Sequence, residues 1–470
     1  MTALELVVYA LLLAVAAAAV WRRPVVALYL FVAGLALHNA AMASLYAAGV
    51  RGSTLTAIAA WKEILLAVAL ARVIQESIRE RRLPFRPGAA DWFALAYGAL
   101  VVLYALIPQS ALGGGADRHA VGLALKHDLV PVGAFFLGRF LGDGRAELRR
   151  LAWTLLATAG FVAALGIVDV YAVPIGWWRT NGVVDYFHKQ LGYHYNGTGG
   201  LPENFVYNTG SEQHFLRRLV STFLSPLASG YLMVVALLLL PRRRVALPLA
   251  ALAFAGLLFT FSRSSFLALA GGLVVLALAS RDLRPAALAA VVVGVAIGWA
   301  HVFPSVGPTG HWTKADLVQQ RRQARSSGPA SGSALSDREP SLHEHWLALK
   351  EGVHTVIHHP QGFGLGNVGQ TASRTGTPIK AGESNYTEMG AELGLAGALL
   401  WIAWALSILV GLWRAGAVRT VAAFAAVLAL AIQTDVIGDP WIAYVVWGLA
   451  GTCLQVRLAT KEAPALPSRA

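Results

Sequence analysis

The chain has 470 residues, of which 56% are apolar types and 13% are charged, and its mean hydropathy is +0.57. Soluble proteins carry about a quarter charged residues, so an ordinary cytosolic enzyme and a disordered chain are both excluded. The formal net charge is +13 and there is one cysteine, Cys453, which excludes a disulfide framework and a cysteine-based zinc site. In a soluble chain that charge would point to nucleic acid. Here it points to basic cytoplasmic loops and to anionic membrane lipids as partners, with no nucleic acid expected.

A membrane helix needs about twenty mostly apolar residues. In chain order such runs fall at 3–21, 25–49, 54–74, 91–108, 128–142, 149–173, 220–240, 245–261, 264–280, 285–303, 387–413, 417–436 and 440–457. The expected fold is therefore an all-α polytopic membrane protein of about 13 transmembrane helices, within a range of about 12–14, and 128–142 is the shortest and weakest run. The first run lacks a basic leader and is followed by Trp21-Arg22-Arg23, so it reads as a retained helix and not as a cleaved signal. Residues 1–303 hold ten helices with a loop at 174–219, residues 304–386 form a second and larger loop that is partly helical, and 387–470 hold the last helices and a short tail.

Alternate connections are short and basic: Arg22-Arg23, Arg79 to Arg86, Arg145 with Arg149-Arg150, Arg242-Arg243-Arg244, Arg281 with Arg284, and Arg414 with Arg419. Lysine and arginine collect on the cytoplasmic side, so 174–219 and 304–386 are expected on the outer, periplasmic face of a bacterial inner membrane. The first of these carries Trp177, Trp178, Tyr186, Tyr193, Tyr195, Gly199 and Gly200, and its tryptophan pair suits the membrane interface. The second opens with the basic run 319–325 and a Gly/Ser/Pro/Ala stretch over 326–334 that reads as a flexible connection. Ser341 with Glu344 then gives a helix start, and Trp346, Leu349, Val353 and Val356 recur at helical spacing.

Several residues in this frame carry candidate chemistry. Arg263, in Phe259-Thr260-Phe261-Ser262-Arg263-Ser264-Ser265, joins two apolar runs directly. An arginine there is costly unless it meets an anion or snorkels to lipid phosphate. Arg217-Arg218 opens run 220–240 on the outer face, against the positive-inside trend. A guanidinium fork bonds phosphate oxygens in pairs, so these arginines suit either a diphosphate or lipid head groups. Lys62-Glu63 lies inside run 54–74; adjacent helix residues diverge, so a simple ion pair is not expected. The histidines His343, His345, His354, His358 and His359 lack a metal-binding spacing, and Gly362-Phe363-Gly364-Leu365-Gly366 lacks a preceding strand, so metal and nucleotide sites are not expected. Finally, Glu383-Ser384-Asn385-Tyr386, Glu388 and Glu392 put carboxylates at the start of a membrane run, as helix N-terminal acids or as a general base above the membrane.

In these stretches the chain resembles the bacterial O-antigen ligase and polymerase superfamily. Arg218 with Ser221-Thr222-Phe223 is similar to the family's arginine before a polar–aromatic helix start. Ser262-Arg263-Ser264 is similar to its arginine turn. His359-Pro360 with Gly362, Gly364 and Gly366, then Glu383 to Tyr386 and Glu392-Leu393-Gly394 with Gly397, are similar to its closing outer loop. The resemblance implies an integral-membrane, GT-C-like glycosyltransferase without cofactor. Its donor is a glycan on undecaprenyl diphosphate, and its acceptor is a lipid-linked glycan or lipid A-core. Ligases of the family carry a His-Asn pair at the position of Ser384-Asn385, so the resemblance implies a Wzy-type polymerase, with ligase as the alternative and Glu383 in place of the histidine. A chain-length regulator protein is then an expected partner. The chemistry is inverting: an acceptor hydroxyl attacks the anomeric carbon and lipid diphosphate leaves. It assigns Arg218 and Arg263 to the diphosphate, with Arg217 and Lys62 as helpers, and Glu383, then Glu388, to the acceptor proton. Asn385, Tyr386 and His359 fall to substrate binding. A lipid-linked sugar flippase is the alternative of another class; transporters commonly show internal repeats and midplane charges, and no repeat is evident here.

Overall fold

A computed structural model describes residues 3–141, 145–193, 201–202, 204–208, 211, 213–327 and 340–461. Side chains are described for these apart from 3–5, 145–146, 319–320, 323–327, 340–344 and 455–461. Tyr195, Gly199, Gly200 and most of the 326–334 connection lie outside the described residues, and of the expected Ser341/Glu344 helix start the backbone is described but not the side chains.

The chain is mostly helical. The helices are α1 (Ala3–Arg22), α2 (Val26–Ala47), α3 (Gly52–Ala59), α4 (Trp61–Glu80), α5 (Ala89–Leu106), α6 (Arg118–Phe140), α7 (Arg145–Ala172), α8 (Ile175–Thr180), α9 (Val183–Asp185), α10 (Pro226–Leu238), α11 (Leu247–Thr260), α12 (Arg263–Ser280), α13 (Arg284–Val306), α14 (Lys314–Ser327), α15 (Pro340–His358), α16 (Gly369–Thr375), α17 (Asn385–Arg414), α18 (Val418–Leu430) and α19 (Pro440–Lys461). Among the described residues, seven helices are long and apolar enough to cross a membrane, namely α2, α5, α6, most of α7, α12, α13 and α17. Five shorter apolar stretches lie within α1, at α10, at Arg244–Thr260, at α18 and at Pro440–Leu454. Together these describe a polytopic membrane protein.

Three expected elements take a different form. Run 128–142 is the C-terminal half of α6, which begins ten residues earlier because the Asp117 carboxylate caps it, accepting from Ala120 N at 2.8 Å. Run 54–74 is broken at Ala60 into α3 and α4. Run 220–240 shortens to α10, because Ser221–Phe223 makes a tight turn, Leu224 takes a left-handed φ of 53°, and Ser225-Pro226 starts the helix afresh.

The packed core joins α5, α6, α17, α18 and α19. Tyr97, Trp401, Trp404, Trp447, Phe135 and Phe424 are buried there, with ring centroids 5.4–6.2 Å apart in successive pairs. α6 and α19 approach closely through glycine. A Cβ on Gly138 would stand 2.1 Å from the Gly448 carbonyl, and one on Gly451 2.2 Å from that of Phe135, so small residues set this interface.

Segments 174–219 and 304–386 form one unit. Strands β1 (Val206–Tyr207), β2 (His214–Arg217) and β3 (Thr309–His311) pair antiparallel in the order β1-β2-β3, with Val206 opposite Arg217 and Phe215 opposite Gly310. Arg179 bonds Asp316 at 2.9 Å and Tyr193 Oη bonds Gln370 at 2.9 Å, so 174–219 and 304–386 are stapled at several points.

Candidate active site

Arg218 and Arg263 lie 45 positions apart in sequence, and the fold brings their segments together. α11 ends at Thr260, Phe261 takes a left-handed φ of 48°, and Ser262 caps α12 by accepting from Ser265 N at 3.3 Å, which leaves Arg263 half-buried in the first turn of that helix. Leu219 N donates to the Phe259 carbonyl at 2.9 Å, and Arg218 Nε to that of Thr260 at 2.8 Å. Arg218 Nη1 also meets Asn204 Oδ1 at 3.3 Å. The arginine that precedes the polar–aromatic turn is thus bonded to the end of the helix whose continuation carries Arg263.

Arg217 goes elsewhere. Its Nη1 donates to the carbonyls of Val170, at 3.1 Å, and Val173, and its Nη2 lies 3.5 Å from Asp169 Oδ1. Burial lowers its pKa while the Asp169 carboxylate opposes that. It closes the C-terminal end of α7.

A cavity of about 860 Å³ opens between α2, α3, α4, α6, α10, segments 174–219 and 304–386 and the turn before α19. Asn204, Arg218's partner, lines it, as do Lys62, Glu383 and Glu388. Glu383 has a left-handed φ of 72°, unusual for a side-chain-bearing residue. Its Oε2 lies 2.6 Å from Nδ1 of His345 on α15. Glu388 is 2% exposed on the first turn of α17. Asn385 is fully buried, donating to Asp435 Oδ1 at 2.8 Å and accepting from Val436 N and Ile437 N. Tyr386 Oη donates to the Leu428 carbonyl at 3.0 Å. His359 lies over Phe363, ring centroids 3.9 Å apart, with Nε2 3.1 Å from the Leu112 carbonyl. Neither Tyr386 nor His359 is among the residues lining the cavity. The glycine loop serves packing: Gly362, Gly364 and Gly366 all have positive φ, and the loop hydrogen-bonds α17 through Phe363 N to Ala391 O and Gly366 N to Glu392 Oε1.

Behind Glu388 stands a polar cluster that the sequence reading missed. His127 Nδ1 is 2.7 Å from Asp128 Oδ1, and its Nε2 is 3.0 Å from Asp435 Oδ2. Asp128 and Asp435 are buried. The signal was present, since both aspartates fall inside apolar runs and intramembrane carboxylates are functional candidates. Their pairing was not, because 308 positions separate His127 from Asp435.

The Lys62 expectation needs correcting. Lys62 Nζ lies 3.5 Å from Glu63 Oε2, so the neighbours do pair. The break at Ala60 puts both in the first turn of α4, where the side chains have no preceding turn to keep them apart. Lys62 also donates to the Ala59 carbonyl at 2.7 Å, and Glu63 Oε1 lies 3.4 Å from Lys126 of α6.

No curated protein matches the chain. Residues 248–402 match the family model described as O-Antigen ligase. The matched stretch runs from α11 into α17 and takes in Arg263, His345, Arg374, Glu383, Glu388 and Glu392. This match, on a chain with several membrane-crossing helices, supports a membrane enzyme of polysaccharide or lipopolysaccharide synthesis, and it bears out the resemblance to the O-antigen ligase and polymerase superfamily.

Proposed function

We propose that the chain is an inverting membrane glycosyltransferase that moves a glycan from undecaprenyl diphosphate to an acceptor sugar hydroxyl, and that it is a Wzy-type polymerase. In this reading all thirteen apolar runs cross the inner membrane in a GT-C-like arrangement. The basic connections face the cytoplasm and the outer segments face the periplasm. The observation that carries it is the Arg218 hydrogen bond to Thr260, which brings two guanidinium-bearing segments to one turn, while Asn204, the other partner of Arg218, lines the cavity that holds the carboxylates.

The reaction forms the bond between acceptor oxygen and anomeric carbon and breaks the bond between that carbon and the diphosphate oxygen. Arg218 and Arg263 hold the leaving diphosphate and offset its developing charge. Diphosphate is a good leaving group, so the mechanism calls for neither a strong acid nor a metal ion. The acceptor proton passes to a carboxylate at the cavity rim: Glu383, with Glu388 next in line. Arg217 supports the turn through α7.

A ligase acting on lipid A-core is the second reading. One observation favours it: His345 supplies an imidazole at Glu383, beside the position where the resemblance expects a histidine. The test offers the purified protein lipid-linked repeat units with and without lipid A-core. Laddered products without core are expected. Transfer to core without laddering supports the ligase, and no transfer in either mixture overturns the glycosyltransferase reading.

A further inference from the structure

Three cations line the same cavity at one wall: Lys62 of α4, Lys126 of α6 and Arg374 of α16. Glu63 lies between the two lysines, 3.5 Å from one and 3.4 Å from the other. One carboxylate therefore serves two ammonium groups. Arg374 donates Nε to the Leu191 carbonyl at 2.8 Å and lies 5.7 Å from the centre of the Tyr193 ring. The three are near enough that the charges of Lys126 and Arg374 both act on Lys62. Lys62 is 7% exposed, so that repulsion is felt through poorly screening surroundings. Of the four other carboxylates that line the cavity, Asp435 meets His127, Glu383 meets His345, Asp439 accepts from Trp441 N, and Glu388 is buried at the start of α17. Cations gathered in a cavity at such cost fit an anion that the cavity receives.

We propose that Lys62, Lys126 and Arg374 form a second anion site that holds the diphosphate of a lipid-linked acceptor. This rests on the polymerase reading, in which both substrates carry a diphosphate and only the donor loses it. Arg218 and Arg263 take the diphosphate that leaves, and the cavity cations take the one that stays. Lys126 is half exposed, so its ammonium group is open to a ligand.

The test uses full-length protein in phosphatidylcholine nanodiscs and two acceptors that share one uncharged glycan. One acceptor carries undecaprenyl diphosphate and the other a plain alkyl chain. Losing one charge-assisted contact commonly weakens binding about tenfold to a hundredfold. Lys126→Gln and Arg374→Gln should each raise KM for the diphosphate acceptor by about tenfold or more, leaving kcat, the donor KM and the alkyl-acceptor KM nearly unchanged. Equal effects on both acceptors, an effect on the donor KM alone, or no effect would each overturn the site. Should the unaltered protein transfer to neither acceptor, the glycosyltransferase reading fails while the anion site is still decided by calorimetry with inorganic diphosphate in Arg263→Ala protein. Binding that is lost on adding Arg374→Gln supports the site, and binding that persists overturns it.

Discussion

Arg139 and Lys62 are both cations buried among helices, yet they are held differently. Arg139 of α6 meets Asp91 of α5 through two contacts of 2.7 and 3.0 Å, and Arg86 supplies a carbonyl at 3.1 Å. One guanidinium thus faces one carboxylate, both nearly inaccessible, and the planar fork matches the two oxygens. Lys62 shares Glu63 with Lys126, and Arg374 stands on the same cavity wall. The first arrangement is closed and joins two helices. The second opens to a cavity and carries more positive than negative charge. Burial alone therefore does not separate a structural charge from a candidate substrate contact; the ratio of partners and the access to a cavity do.

The largest effect expected from this contrast is on stability. Removing one member of a buried ion pair commonly costs about 3–5 kcal/mol, because the other is left charged and unpaired. Asp91→Ala should therefore lower the melting temperature of the solubilised protein sharply, and more so since Asp91 also accepts from Gly88 N at 2.8 Å to start α5. Replacing both partners with apolar residues should recover much of the loss. Transfer per folded molecule should stay close to normal. An Asp91→Ala protein that melts normally but has lost transfer would break the contrast.

The arginine turn should give the opposite signature. Removing one preorganised donor to a transition-state charge commonly costs about 10²–10³ in rate. Arg263→Ala and Arg218→Ala should abolish detectable transfer while the protein still inserts and expresses. Arg263→Lys should remain badly impaired, because an ammonium group cannot reproduce the guanidinium fork. If Arg263 only anchors lipid head groups, lysine serves nearly as well, and near-normal turnover at matched protein level would reveal it. Glu383→Gln should fall as well, by less, since a sugar hydroxyl attacking a good leaving group tolerates a weak base.

Helix positions were the legible part of the sequence, because apolar length is what a membrane helix needs. Each apolar run falls on helix, and the errors sit where polar residues intrude. The first half of α6 was hidden by Arg118, Lys126 and His127; two of these, Lys126 and His127, find partners inside the protein, so they cost less than their types imply. The shortening of run 220–240 was written in Ser225-Pro226, a helix start signal. Arg218 and Arg263 stood out as charges at the ends of apolar runs. The cavity did not, since Lys62, His127, His345, Arg374 and Asp435 come from distant segments and each looks ordinary alone. Only tertiary contact puts His345 against Glu383 and Lys126 against Glu63.

Asp439 extends the contrast to a single carboxylate at the cavity, and its effect should be the smallest. It stands in the turn before α19, where Oδ1 accepts from Trp441 N at 2.8 Å, and burial pushes its pKa up to about 6 against the hydrogen bonds that favour the anion. The folded state therefore prefers the neutral acid more than the unfolded chain does. The sign follows from linkage: the contribution is fully present below the ordinary aspartate value, near 4, and is lost as pH rises through about 6. Between these limits the protein should lose about 1–2 kcal/mol of stability, a figure reduced from the full shift because the residue is partly open to the cavity. Asp439→Asn keeps the oxygen that caps α19 and removes the titration. Melting temperatures taken from pH 4 to pH 7 should show a decline for the unaltered protein that is flattened in Asp439→Asn. An identical decline in both would mean that another group carries the pH dependence and that Asp439 is as well solvated as a surface carboxylate.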